Sequence, residues 1–351
     1  MKKIFTAVLL LLVAGAGFAC TTFCINKDGQ IIFGRNYDWI TGAGIVNTNL
    51  RGLVKTSVKN NDAKTISWIS KYGSITFNQY GKEFPTGGMN ENGLVVELMW
   101  LDGTRYPGKD ARPSVSVLQW IQYQLDNSST VEDVINTDAK LRIEDRGTPL
   151  HYLVADAKGN VASIEFLKGK MVVHTGNSLP FPVLTNNTYD ESLQAEKNFE
   201  KHKNGILPSD NSLGRFVKAC NMIQQLNANN ISTPLTDFAF SVLDQVSQGS
   251  YTKWSIVYDI SKKEIYFKTA DNAGIKIIRF SGFDFSCVGS YTMFNMNQHG
   301  EGDVTTKFIL PDKNIKRSIL HQAIEESRAN VAITAKEEEG LMTYEDSIKC
   351  K

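Results

Sequence analysis

Cysteine is scarce: five residues in a chain of 351, too few for a disulfide-stapled scaffold. Neither sign of charge is in excess. Thirty-eight Lys and Arg stand against 37 Asp and Glu, a formal net charge of +1, which gives no support for a nucleic-acid partner. The 27 Gly and nine Pro follow no short period, so collagen-like and low-complexity character are excluded. An apolar content of 42% argues against intrinsic disorder. Also missing are HExxH, a CxxC pair, a Walker loop and a GxSxG elbow. The five His stand at 151, 174, 202, 299 and 321, and no two have a helical metal-ligand spacing. Thr41-Gly42-Ala43-Gly44 lacks the helix and acid of a dinucleotide loop. Cys20 and Cys24 lack further ligands nearby for a metal. No metal and no cofactor are expected.

The N-terminus carries the first positive signal. Lys2 and Lys3 precede Ile4–Ala19, an uncharged run of sixteen residues. That falls short of the roughly 18 residues of a membrane-spanning helix, so no membrane span is expected. Gly17-Phe18-Ala19 places small residues three and one before the next bond, the pattern read by a signal peptidase. Residues 1–19 are therefore expected to be an export signal, and residues 20–351 a single domain in a bacterial periplasm. Cleavage leaves Cys20 first. In a rival reading Cys20 is lipidated and the product is a non-catalytic lipoprotein that binds ligands or partners. Lipoprotein signals usually carry Leu three before the Cys and a small residue two before; this chain has Gly17 and Phe18.

The remainder alternates groups of strands and helices. Thr21–Asn26 and Gln30–Asn36 read as a hairpin across Lys27-Asp28-Gly29. Ile66–Ile75 and Gly93–Leu101 read as strands, and Val115–Leu125 and Val131–Leu141 as helices, the second started by Ser129-Thr130. A meander follows over His151–Ala155, Val161–Leu167 and Lys170–His174, then helices over Glu191–His202, Leu213–Leu226 and Leu235–Val246. Ser255–Ile260 and Glu264–Lys268 form another hairpin, Gly274–Phe280 a strand and Asn314–Arg328 an amphipathic helix. Residues from Asn330 onward turn polar and are expected to be loosely held. The order is not βαβ repetition, and it predicts an α+β fold of stacked layers.

A terminal Cys joins a thiol and an α-amine in one residue, with ordinary pKa values of about 8.5 and about 7.7–8.0. Nucleophile and proton shuttle then need no His. While Ala19 is attached, the nitrogen is an amide and cannot act as a base. Arg35 and Asp38 end the second strand beside Cys20, where an Arg favours thiolate and a carboxylate can hold the amine. The alternative is a surface Arg–Asp pair.

Cys20-Thr21-Thr22, Phe33-Gly34-Arg35-Asn36-Tyr37-Asp38-Trp39 and Gly88-Met89-Asn90-Glu91-Asn92-Gly93-Leu94 resemble the choloylglycine hydrolase and penicillin V acylase family. So do Leu184-Thr185-Asn186-Asn187, Leu207-Pro208-Ser209-Asp210 with Arg215-Phe216, and Trp254-Ser255-Ile256-Val257-Tyr258-Asp259. The resemblance implies the N-terminal nucleophile hydrolase fold, a four-layer αββα stack with two antiparallel sheets. It implies Cys20 as nucleophile, Arg35 and Asp38 beside it, Asn186 as oxyanion donor and Arg215 completing the polar cluster. Read singly, Asn186 is a turn residue and Arg215 a solvated helix residue. Gram-positive bile-salt hydrolases carry Asn where this chain has Trp100, a position commonly aromatic in penicillin V acylases. Trp39 and Trp100 are expected either to wall an apolar acyl group or to be core residues. The implied substrates are small N-acyl amides: penicillin V-like compounds, acyl-homoserine lactones or conjugated bile salts. A homotetramer is implied in the same way. Pairing among Cys24, Cys220, Cys287 and Cys350 is left open, buried thiols included.

Overall fold

The computed structural model describes residues 19–58, 64–201, 209–228 and 233–351. The stretch expected to be an export signal, apart from Ala19, lies outside the described residues, as do His202 and the Leu207-Pro208 part of one motif.

The first hairpin forms as expected, with strands Thr21–Lys27 and Gln30–Asp38. Asp28 and Gly29 both take positive φ, 53° and 81°, the backbone that a two-residue turn between twisted strands requires. The hairpin lies near one edge of a seven-stranded sheet, in the order Val183–Leu184, Thr21–Lys27, Gln30–Asp38, Thr252–Asp259, Glu264–Thr269, Asn272–Arg279 and Gly302–Asp303. All pairs are antiparallel except the last. A second sheet of eight antiparallel strands runs Lys170–Thr175, Val161–Leu167, Leu150–Ala155, Val95–Trp100, Pro85–Asn90, Ser74–Asn78, Ile45–Asn49 and Met293–Asn295.

The sheets face each other across an aromatic core. Phe77 of the second sheet meets Tyr258 and Phe267 of the first edge-on, at centroid distances of 6.1 and 5.7 Å. Helices Ser212–Ala228 and Leu235–Gln245 cover the outer face of the first sheet, and helix Val117–Asn127 covers the second. The four-layer αββα arrangement is thus present.

Several boundaries differ from the sequence reading. Ile66–Ile75 is two strands, Ser67–Ile69 and Ser74–Asn78, in different sheets. Gly73 marks the break: a Cβ there would collide with the Phe285 ring. The second expected helix stops at Asn136 and tightens into a 3₁₀ turn, Thr137–Ala139; it starts at Ser129-Thr130 as expected, where Thr130 and Asp133 form a capping box. The polar C-terminus is not loosely held. Thr334 caps a helix over Ala335–Thr343, Lys349–Cys350 pairs with Leu53–Thr56, and Cys350 is disulfide-bonded to Cys287. Cys24 and Cys220 are buried thiols. No helix among the described residues is long and apolar enough to cross a membrane.

Candidate active site

The strand register fixes where the motif residues meet. Thr21 pairs with Asn36 and Thr22 with Arg35, which leaves Cys20 at the strand start, level with Tyr37 and Asp38. Its Sγ lies 3.9 Å from the Asp38 carbonyl oxygen. Side-chain alternation then sorts the second strand. Asn36 points to the helix layer and donates to the Leu243 carbonyl at 2.7 Å. Arg35 points between the sheets, where it forms a fully buried ion pair with Glu97. It also reaches the carbonyls of Thr86 and Leu98 at 3.4 Å and lies over the Tyr37 ring.

Room for the Glu97 carboxylate comes from Gly87 opposite it, where any Cβ would overlap the carboxylate. Tyr258 donates its hydroxyl to Glu97 from the other side. Burial alone would depress the Arg35 guanidinium. Glu97 first, then Cys20 and the two tyrosines, outweigh it and hold Arg35 above its ordinary pKa.

Asp38 is buried beside this pair. Thr252 donates to its Oδ1 at 2.5 Å, an alignment set by the irregular register between Thr252 and Trp254. Its Oδ2 is buried without a hydrogen-bond partner among the described residues. Burial pushes this carboxyl up to about 7, against Thr252, Arg215 and Arg35. The Cys20 thiol is pushed up to about 11, again chiefly by burial, with Arg35 opposing and Asp38 reinforcing.

Asn186 and Arg215 join the cluster from the loop after Val183–Leu184 and from helix Ser212–Ala228. Arg215 is buried. It donates to the Asn186 side-chain oxygen at 2.7 Å, to Thr21 Oγ1 at 3.2 Å and to the Cys20 carbonyl at 3.4 Å. The Asn186 amide nitrogen donates to the Trp100 carbonyl at 2.9 Å, and its backbone N–H to Ser212 Oγ at 2.9 Å. Buried His151 holds the adjoining Thr185 carbonyl at 2.7 Å.

Cys20, Trp39 and Trp100 open onto one cavity of about 990 Å³. The two indoles lie 6.2 Å apart, centroid to centroid. Trp39 donates to Tyr80 Oη at 2.9 Å and Trp100 to Asp102 at 2.6 Å, so each ring is pinned at its polar edge.

Of the seven residues singled out in the sequence, Cys20, Trp39 and Trp100 line the cavity, and Arg35, Asp38, Asn186 and Arg215 form the buried polar cluster behind Cys20. Arg35, Asp38 and Arg215 are buried, so the readings as a surface ion pair and as a solvated helix residue are overturned. So is the pairing itself: Arg35 is bonded to Glu97, and Asp38 to Thr252. The sequence reading missed Glu97, Thr252 and Tyr258. Glu97 left a signal, a lone carboxylate inside the apolar run Gly93–Leu101, which demands a buried cation.

Two antiparallel sheets between helix layers, with a thiol at the start of the first strand and a polar cluster around it, define the class of N-terminal nucleophile hydrolases. The family model for linear amide C–N hydrolases, the choloylglycine hydrolase family, matches residues 20–293, and the chain belongs to that family. A penicillin V acylase of Pectobacterium atrosepticum is 27% identical over 327 residues, covering 80% of this chain and 85% of its own. The solved penicillin V acylase of Agrobacterium tumefaciens superposes with a TM-score of 0.74 at 26% identity, covering 84% of this chain and 98% of its own. A conjugated bile acid hydrolase variant of Clostridium perfringens shares the fold, with a TM-score of 0.67 at 19% identity over 81% of this chain and 98% of its own. The protein is a linear amide hydrolase.

Proposed function

We infer that this hydrolase is an exported cysteine amidase whose nucleophile is the Cys20 thiol and whose base is the α-amine released when residues 1–19 leave. The observation that carries this reading is the buried Oδ2 of Asp38, without a hydrogen-bond partner among the described residues, in a site where the Cys20 thiol lies against the Asp38 backbone. A buried carboxylate oxygen left without a donor is costly. The liberated ammonium of Cys20 supplies both donor and charge.

In the reaction, the neutral amine takes the thiol proton and the thiolate attacks the acyl carbonyl. Arg35 favours the thiolate from between the sheets. The oxyanion is received by backbone N–H groups and by the Asn186 amide, which spends one hydrogen on Trp100 and keeps the other. Arg215 holds Asn186 in that orientation. The amine then protonates the departing nitrogen, and water hydrolyses the thioester to release the acid. Trp39 and Trp100 present an apolar wall to the acyl group, suited to N-acyl substrates of the penicillin V, acyl-homoserine lactone or conjugated bile-salt type.

A disulfide between Cys287 and Cys350 supports an oxidising compartment such as the periplasm. Pairing of the last strand with Leu53–Thr56 supports one domain from Cys20 to Lys351. Burial of Cys20 at the cavity argues against lipidation there. Assembly as a homotetramer belongs to the same reading, and light scattering checks it.

Cys20→Ala is expected to lose turnover of N-acyl amides while keeping its unfolding midpoint. A folded variant that still hydrolyses them at a substantial fraction of the wild-type rate would remove Cys20 as nucleophile. Mass spectrometry of the native protein adds a separate check, since a diacylated Cys20 would replace the amidase with a lipoprotein.

A further inference from the structure

The cavity extends well past the reacting groups. Its far wall is formed by residues 331–347, beyond residue 293 where the family match ends. This wall is fixed at several points. Ile333 and Leu341 pack against the cluster around helix Lys313–Ser327. Tyr344 meets Phe84 edge-on at 5.2 Å and donates to the Thr56 carbonyl at 2.5 Å. Glu345 accepts from Tyr291 at 2.7 Å and pairs with Lys316.

One residue of this wall breaks a local rule. Gly340 sits inside helix Ala335–Thr343, where glycine is the poorest choice after proline. It is exposed at the open side of the cavity, where a Cβ would meet no atom of the described residues within 4 Å. The rim beside it carries Glu144, Arg146, Lys336 and Glu337, two charges of each sign, which select no net charge in a ligand.

Size points the same way. A cavity of about 990 Å³ lies at the upper end of the range for drug-sized ligands, about 300–1,000 Å³. A phenoxyacetyl group has about ten heavy atoms and occupies roughly 200–300 Å³ at a water-like share per atom. Packed against Trp39 and Trp100, it would leave the space at Gly340 unfilled.

We propose that residues 331–347 form a specificity-determining wall for the acyl group, and that Gly340 is the position whose missing side chain admits an extended apolar acyl chain. The proposal rests on the amidase reading above and adds to it the part of the chain that measures acyl length. Short acyl groups reach the indoles only; long ones also contact the wall.

The test is kcat/KM for N-acyl amides of one amine, from acetyl to myristoyl, with wild type, Gly340→Ala and Gly340→Phe. Both substitutions favour the helix, so loss of fold is not their expected effect. Wild type should gain up to about fourfold per buried methylene as the chain lengthens. Gly340→Phe should leave the short amides within about twofold of wild type and cut the longest by about tenfold or more, with Gly340→Ala near wild type. A uniform change along the series, or none, overturns the wall. Failure of the amidase reading is distinct: wild type would then turn over no amide of any length. The wall would in that case be read by calorimetry with laurate, where equal affinity for wild type and Gly340→Phe overturns it and weaker binding by the variant supports it.

Discussion

At Asp38, one buried carboxyl would couple the proposed cleavage before Cys20 to the stability of the chain. Burial raises it from 3.8 to about 7. The folded chain thus holds this proton more tightly than the unfolded chain, so the protonated form favours folding. That contribution is fully present below about pH 4 and is lost as pH rises through about 7, a span of about 4 kcal/mol. In a form that begins at Ala19, Asp38→Asn is therefore expected to raise the calorimetric midpoint at pH 8 and leave it nearly unchanged at pH 4. A lower midpoint at pH 8 would mean that the ionised carboxylate is already satisfied. Burial pushes the Glu97 carboxyl up to about 7 as well, against Arg35 and Tyr258, but here the cationic partner is in place. Glu97→Gln leaves Arg35 buried and unpaired, and urea unfolding should register a loss of about 3–5 kcal/mol. A loss under about 1 kcal/mol would make the pair dispensable. Arg35, Asp38 and Arg215 were legible in the sequence because they stand in ordered motifs. Their partners were not, because Glu97 and Thr252 are distant in the chain and reach the site only through inter-sheet packing and a strand irregularity.

Among elements, the first hairpin was the most legible, since Asp28-Gly29 announces a tight turn and the flanking runs are rich in β-branched and aromatic residues. The C-terminal segment was the least legible. Its polar composition resembles a loose tail, yet Thr334 caps its helix, and the disulfide and short strand pairing that fix its end join residues far apart in sequence. The loop closed by the disulfide spans 63 residues. Replacing Cys287 and Cys350 by Ser should lower stability by about 2–4 kcal/mol in urea titrations. An unchanged midpoint would show that the strand pairing and the Glu345 contacts hold this segment unaided.

Across the whole molecule, the proposed chemistry depends on two sheets meeting face to face. The first sheet supplies Cys20, Arg35 and Asp38, the second supplies Glu97 and Trp100, and the helix layer supplies Arg215. No element makes the site alone, which is why spacing along the chain gave no catalytic pair and only the ordered set of motifs pointed to one. The proposed chemistry turns on a single bond, the peptide between Ala19 and Cys20. Two purified forms, one beginning at Cys20 and one at Ala19, should be compared for hydrolysis of the same N-acyl amide. The form beginning at Cys20 is expected to turn over, and the form beginning at Ala19 to be slower by about 100- to 10,000-fold, the usual worth of a positioned base. Equal rates for the two forms would rule out the Cys20 amine as the base.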